Sequence, residues 1–141
     1  MPEFILKRRV AFGDCDPARV AYAGRLIESA LDAVDAFWDD LLDGKGWFHM
    51  NIHRGLGMPF VRMECEFINP ISAGTMMRWL VQPESIGTTS IVIFVEGRKE
   101  GQACFQARLV SVFSKLDKME KINIPEDIRE VITRRFPELK E

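Results

Sequence analysis

The run Phe12-Gly13-Asp14-Cys15-Asp16-Pro17-Ala18-Arg19-Val20-Ala21-Tyr22 sets two carboxylates around a thiol. A carboxylate in such a loop can attack a carbonyl carbon or act as base for a water that does. A helical pattern starts soon afterwards, near Gly24. The unpaired N–H groups and positive dipole end of that helix can hold a carbonyl oxygen while negative charge builds on it. Together these parts make an acyl-transfer site. The same residues also have a structural use, because Asp14 or Asp16 can cap a turn before Pro17. Residue types alone leave both readings open.

Other candidates are weaker. Cys15 is a nucleophile by type, but the nearest histidine is remote in sequence, so it reads as a small loop-packing residue. His49 and His53 are four apart and can share a helix face as metal ligands. No acidic or thiol partner joins them at ligand spacing, and glycines break the region. They read as loop or pocket-lining histidines, with no metal expected. Phe37, Trp38, Trp47, Phe48 and Met50 are core or interface residues by type, some of them suited to the apolar wall of an acyl cavity.

These residues need a frame. Phe4 to Phe12 is rich in β-branched and aromatic residues and predicts a strand, broken by Gly13 to Pro17. From Gly24 to Asp43, Ile27, Leu31, Val34, Trp38 and Leu41 recur at helical spacing, widened by Ala30 and Phe37. Glu28, Asp32, Asp35 and Asp39 form the opposite, wet face. Part of that stripe would line a cleft if the helix were wrapped by sheet and partner. Trp47 to Met58 reads as irregular. Four strands are predicted next: Phe60 to Ile68, Thr75 to Gln82, Thr88 to Glu96 and Gln102 to Ser114. In the first of these, Val61, Met63, Cys65 and Phe67 alternate with Arg62, Glu64 and Glu66. A short amphipathic helix from Pro125 to Phe136 closes the pattern. Short turns imply an antiparallel meander of the last four strands, with the first and last strands of the sheet as edges. A long helix followed by a large sheet hides its apolar stripe against that sheet, which gives an α+β domain.

Composition sets the outer bounds. A chain of 141 residues fits a single domain spanning 1–141. With 47% hydrophobic and 28% charged residues it can build a core, which excludes global disorder, collagen-like repeats and coiled coil. A net charge of -2 argues against general binding to nucleic acid. The longest clean apolar run, Ile91 to Val95, is far short of the ~20 residues of a spanning helix, so no membrane partner is expected. Phe4-Ile5-Leu6 precedes Lys7-Arg8-Arg9, the wrong order for a secretory signal. Cys15, Cys65 and Cys104 cannot all pair within the chain, and they form no CxxC. Free thiols in a reducing, cytoplasmic compartment follow.

The segment Phe12 to Ala18 resembles the active-site loop of the 4-hydroxybenzoyl-CoA thioesterase family. The element order is similar to that family's hot-dog fold, an antiparallel sheet wrapped around one long helix, here with a short C-terminal helix. Arg54-Gly55-Leu56-Gly57-Met58-Pro59 and Ile86-Gly87-Thr88-Thr89-Ser90-Ile91 extend the likeness, which runs from Phe4 to about Phe113. The resemblance implies an acyl-CoA thioesterase for a thioester with an apolar or aromatic acyl group. It makes Asp16 the nucleophile or general base and the backbone N–H near Ala23 the group that polarises the carbonyl. It implies substrate contacts at Tyr22, Asp32, Met58, Pro59, Thr88, Thr89 and Ser90. Read without a gap, Leu31 stands where that family carries an Asp for the substrate ring; one inserted residue places Asp32 there. Gly87-Thr88-Thr89 stands where the family has a basic cluster for nucleotide phosphates, and Arg98, Lys99, Lys115 or Lys118 are then candidates for that charge. The resemblance also implies a homodimer or homotetramer with sites between subunits, acyl-CoA as substrate, and no cofactor or metal. Two alternatives remain: an enoyl-CoA hydratase or dehydratase on the same fold, and a non-catalytic module that binds acyl-CoA or an acyl-carrier protein.

Overall fold

The 19-residue helix α1, Ala23–Leu41, organises the molecule. A computed structural model describes residues 3–141; Met1 and Pro2 of the expected 1–141 domain lie outside the described residues. At 1.5 Å per residue α1 is roughly 28 Å long, enough to cross several strands. Its buried stripe is Leu26, Ala30, Ala33, Val34, Phe37, Trp38 and Leu41. The predicted stripe is thus rotated slightly: Ile27 and Leu31 are only half-buried, while Leu26 and Ala33 face the core. Leu42 ends the helix by donating its N–H to the Trp38 carbonyl at 2.9 Å.

One antiparallel sheet of five strands covers that stripe. Its strands are β1 (Phe4–Arg9), β3 (Phe60–Phe67), β4 (Met76–Ile86), β5 (Ser90–Lys99) and β6 (Gln102–Val112), and β2 (Leu56–Gly57) lies outside it. The spatial order is β1-β4-β5-β6-β3. Strands β4 to β6 form the expected meander. β3 departs from the expectation. It pairs with β6, not with β4, so β3 and β1 are the edges and β6 is interior. The stretch from Asn69 to Gly74 is therefore a crossover and not a hairpin turn. It passes the opening of α1, where Ala21 donates its N–H to the Ile71 carbonyl at 2.7 Å and Val20 bridges Ser72. The sheet gains a hydrogen-bonded neighbour for β6 this way, and the apolar side chains of β3 stay on the helix side of the sheet.

Trp47 to Arg54, expected to be irregular, is a helix, α2. Gly55 ends it at φ 62°, donating its N–H to the Met50 carbonyl. The glycines that made the segment look broken are its boundary devices. Strand β2 follows and pairs with β7 (Ser114–Lys115), which pairs with β8 (Glu120–Lys121), a second small sheet. The C-terminal helix α3, Glu126–Arg135, falls where predicted, with Glu126 and Asp127 in its first turn and Arg134 and Arg135 in its last.

The core is aromatic at its centre. Phe37 stacks edge-on with Phe4 and Trp38 at 5.8 and 5.7 Å, and Trp38 meets Phe113 at 6.4 Å. Phe37, Trp38 and Phe113 are fully buried, each contributing about 1.5–3 kcal/mol by burial. These contacts clamp the C-terminal part of α1 between β1 and Phe113, just past the end of β6. The residues before its opening turn are tied by the Ala21 N–H on the Ile71 carbonyl and the Tyr22 N–H on the Asp14 carbonyl.

Candidate active site

Asp16 sits in the loop between β1 and α1, and the loop is tied by backbone bonds. The Asp16 N–H donates to the Val20 carbonyl at 3.0 Å, and the Arg19 N–H to the Asp16 carbonyl at 2.8 Å. The Asp16 carboxylate accepts the Ala18 N–H through Oδ1 at 2.8 Å. Among the described residues its Oδ2 has no partner. The turn-capping use read from the sequence is therefore real, and it occupies one oxygen only.

The first turn of α1 stands beside it. The N-cap residue Tyr22 makes no side-chain cap bond. The Arg25 and Leu26 N–H groups donate to the Tyr22 carbonyl, whereas the Ala23 and Gly24 N–H groups find no acceptor among the described residues. Asp16, Tyr22 and Ala23 line one open groove of about 310 Å³ with Val20, Ala21 and Leu26. Its other wall is Phe67 to Ile71, the end of β3 and the start of the crossover. That wall was absent from the sequence-based expectation, because only the strand order brings it there. Its visible signal was Phe67-Ile68 directly before Asn69-Pro70.

Asp14 does something else. Its Oδ2 accepts the Ala11 N–H at 2.8 Å, and its Oδ1 lies 3.8 Å from Arg25 Nε. The Arg25 guanidinium, held between Tyr22, Glu28 and Asp14, has its pKa raised above the usual range, Tyr22 being the main cause. Asp14 lines a separate groove with Arg8, Arg9, Glu28, Ser29 and Asp32. Asp32 therefore faces the β1 side, where its Oδ2 accepts from Arg8 at 2.6 Å. Cys15 is half-buried against the Ala11 carbonyl, as a packing residue would be.

The remaining candidates gather at the far end of the sheet. The Val112 N–H donates to the Pro59 carbonyl at 3.1 Å and the Phe113 N–H to the Thr89 carbonyl at 2.9 Å. Met58, Pro59, Thr88, Thr89 and Ser90 are thereby grouped. Met58 and Pro59 line an apolar groove of about 250 Å³ with Trp47, Asn51, Leu116 and Met119. Gly57 lets Leu116 lie flat on the strand, since a Cβ there would clash with the Leu116 side chain. Of the apolar residues read as wall candidates, Trp47 lines this groove and Phe48 is exposed, while Phe37, Trp38 and Met50 are core. Within one chain this end and the Asp16 end are separated by the length of β3, roughly 23 Å.

His49 and His53 do share a face of α2, ring centres 4.9 Å apart. The His49 Nδ1 is sealed from water without a partner, and desolvation first, then His53, Lys45 and Arg54, lowers its pKa. No third His, Cys, Asp or Glu joins them in a metal-binding group among the described residues. Nor is any helix among those residues long and apolar enough to cross a membrane.

Residues 10–132 match the family model described as the thioesterase-like superfamily. A solved thioesterase-superfamily protein from Jannaschia sp. is 35% identical, covers 94% of this chain and 92% of its own, and superposes with a TM-score of 0.89. A 1,4-dihydroxy-2-naphthoyl-CoA hydrolase from Prochlorococcus marinus is 25% identical over 131 residues, 88% of this chain and 85% of that protein. A DHNA-CoA thioesterase from Staphylococcus aureus has a TM-score of 0.87 at 16% identity, covering 97% and 93% of the two chains, a likeness of fold.

Proposed function

The chain belongs to the thioesterase-like superfamily, and on that footing we propose that it hydrolyses an acyl-CoA thioester, with Asp16 as the group that delivers the oxygen. The observation that carries this is the shared groove: one free Asp16 oxygen and Ala23 line it together, at the first turn of α1, where the Ala23 and Gly24 N–H groups have no acceptor among the described residues. The thioester carbonyl oxygen accepts from those N–H groups, which favours the charge that forms on it. Asp16 then either adds to the carbonyl carbon or takes a proton from the water that does. With water as the nucleophile, the C–S bond breaks, the thiolate is protonated, and a carboxylic acid and free CoA leave. With Asp16 as the nucleophile, C–S cleavage releases CoA and leaves an acyl anhydride on Asp16, which water then hydrolyses to the carboxylic acid and the free Asp16 carboxylate. Both routes use the same two features of the site, and neither asks for a metal.

The second half of the site comes from a second copy in this reading. The free edge of β3 carries Met63 and Phe67, 42% and 50% exposed on the helix side of the sheet. Antiparallel pairing of two β3 edges sets the Phe67 end of one chain beside the Phe60 end of its partner. The Asp16 groove then meets the partner's Met58 region, and one closed cavity forms from two open grooves. Residues that are roughly 23 Å apart in one chain act together that way. The apolar lining around Met58 suits an apolar or aromatic acyl group. The thiols of Cys15, Cys65 and Cys104 are all unpaired, which fits a reducing, cytoplasmic setting.

No histidine lines the Asp16 groove among the described residues, so hydration of an enoyl-CoA has no observation of its own. The deciding experiment is a thiol-release screen over short, long and aromatic acyl-CoAs with Asp16→Asn alongside. Asparagine still accepts the Ala18 N–H, so the loop keeps its shape. Loss of thiol release with the fold intact supports the assignment. Full activity in Asp16→Asn rejects it.

A further inference from the structure

Arg19 holds a backbone conformation that arginine does not favour. Its φ is 70°, in the left-handed region, where a Cβ crowds the following carbonyl and glycine is at ease. The loop does not ask for an arginine. Its turn is made by the Asp16 and Arg19 N–H groups and by the Asp16 side chain on Ala18, and a glycine at position 19 would make the same bonds. The Arg19 side chain is exposed, and among the described residues its guanidinium enters no ion pair, hydrogen bond or aromatic contact. A strained residue with no structural partner is a sign of use elsewhere.

The neighbouring charges say which use. Asp16 and Val20, both close to Arg19 in the loop, line the groove. The groove has Asp16 as its one carboxylate and no lysine or arginine among its lining residues. Arg25, the nearest other cation on α1, is engaged by Glu28 and Asp14. An anionic substrate entering here is repelled by Asp16 unless a cation at the rim offsets it. A guanidinium suits that task, since it stays charged and binds phosphate or carboxylate through paired N–H groups.

Resting on the reading of this groove as the hydrolytic site, we propose that Arg19 is a specificity-determining residue that captures an anionic group of the thioester at the mouth of the Asp16 groove. The anion has two sources, a phosphate of the CoA moiety or a carboxylate on the acyl group, and substrates separate them. Arg19→Gly is compared with the parent on three thioesters: an acyl-CoA, the N-acetylcysteamine thioester of the same neutral acyl group, and an N-acetylcysteamine thioester whose acyl group ends in a carboxylate. Relief of strain should leave Tm equal or raise it by about 2 °C. KM should rise about 10-fold for a charged substrate, with kcat carrying little of the change, and stay level for the neutral one. A rise on the acyl-CoA alone identifies the phosphate; a rise on the carboxylate thioester identifies the acyl group. Arg19→Lys should recover part of the KM. An unchanged KM on both charged substrates overturns the proposal, and so does an equal rise on the neutral one. Asp16→Asn in the same assays tests the premise separately, because it must abolish turnover on all three.

Discussion

Asp14 and Asp16 stand two residues apart yet open onto different grooves. Asp14 spends both oxygens, one on the Ala11 N–H and one facing Arg25. Asp16 spends one, on Ala18, and keeps the other free beside the first turn of α1. The loop thus separates a carboxylate with both oxygens engaged from one that keeps an oxygen free.

That division predicts opposite outcomes for the same substitution. Asp16→Asn should lower thiol release about 10³-fold, within the range for loss of a positioned base, with Tm nearly unchanged. Asp14→Asn should cost about 1 kcal/mol of stability by weakening the Ala11 and Arg25 contacts, and leave most of the activity. Parallel thiol-release assays and thermal melts check both. Equal activity losses in the two variants would contradict the division of labour.

The edge of β3 gives a second test. Met63→Lys with Phe67→Lys places two charges on side chains that are half exposed in one chain and covered in the paired form. Met63 already faces water in one chain, whereas Phe67 also packs edge-on against Phe105 at 5.3 Å and lines the Asp16 groove. The mass of the species is therefore the deciding readout, and a thermal melt checks that the fold is kept. Size-exclusion chromatography with light scattering should show a smaller species than the parent, and thiol release should fall with it. A double variant that keeps both its mass and its activity removes the shared-site arrangement.

His49 makes a pH dependence. Its folded pKa lies below the ordinary value of 6.5, chiefly through desolvation. Between the folded and unfolded values the unfolded chain binds more protons, so stability falls as pH falls. The contribution is fully present above pH 6.5 and fades below it. His49→Gln should flatten the drop of Tm between pH 7 and pH 5 relative to the parent. A drop of the same steepness in the variant would assign the effect to other groups.

Gly46 tests how tightly α2 is joined to α1. Its N–H donates to Asp39 Oδ1 at 2.9 Å, and a Cβ there would stand 2.8 Å from the Asp39 nitrogen and 3.0 Å from the Trp38 carbonyl carbon. Backbone cannot yield as a side-chain tip does. Gly46→Ala should cost roughly 2–3 kcal/mol, read as a lower urea midpoint at constant slope. A change under about 0.5 kcal/mol would mean the two helices are loosely coupled.

Much of this was legible in the residues. The period of 3.6 from Gly24 to Asp43 reported α1, and the period of 2 from Phe60 onward reported strands, because each pattern records which face of one element is buried. The Phe12-to-Ala18 run marked the loop ahead of the helix, because carboxylates beside a helix opening are a local arrangement. Residue types left Asp14 and Asp16 both open, and only the family resemblance chose Asp16. α2 escaped because it has only eight residues, a single buried one, Met50, and glycines at both ends. What the tertiary structure alone decided was neighbourhood. Alternation along β3 says which way its side chains point, and nothing in it says that β6 lies alongside instead of β4. That choice turned Phe67 to Ile71 into the wall of the Asp16 groove. It also set Thr88 to Ser90 at the opposite end of the sheet from Asp16. Partners chosen by packing are non-local, and no spacing within a single element encodes them.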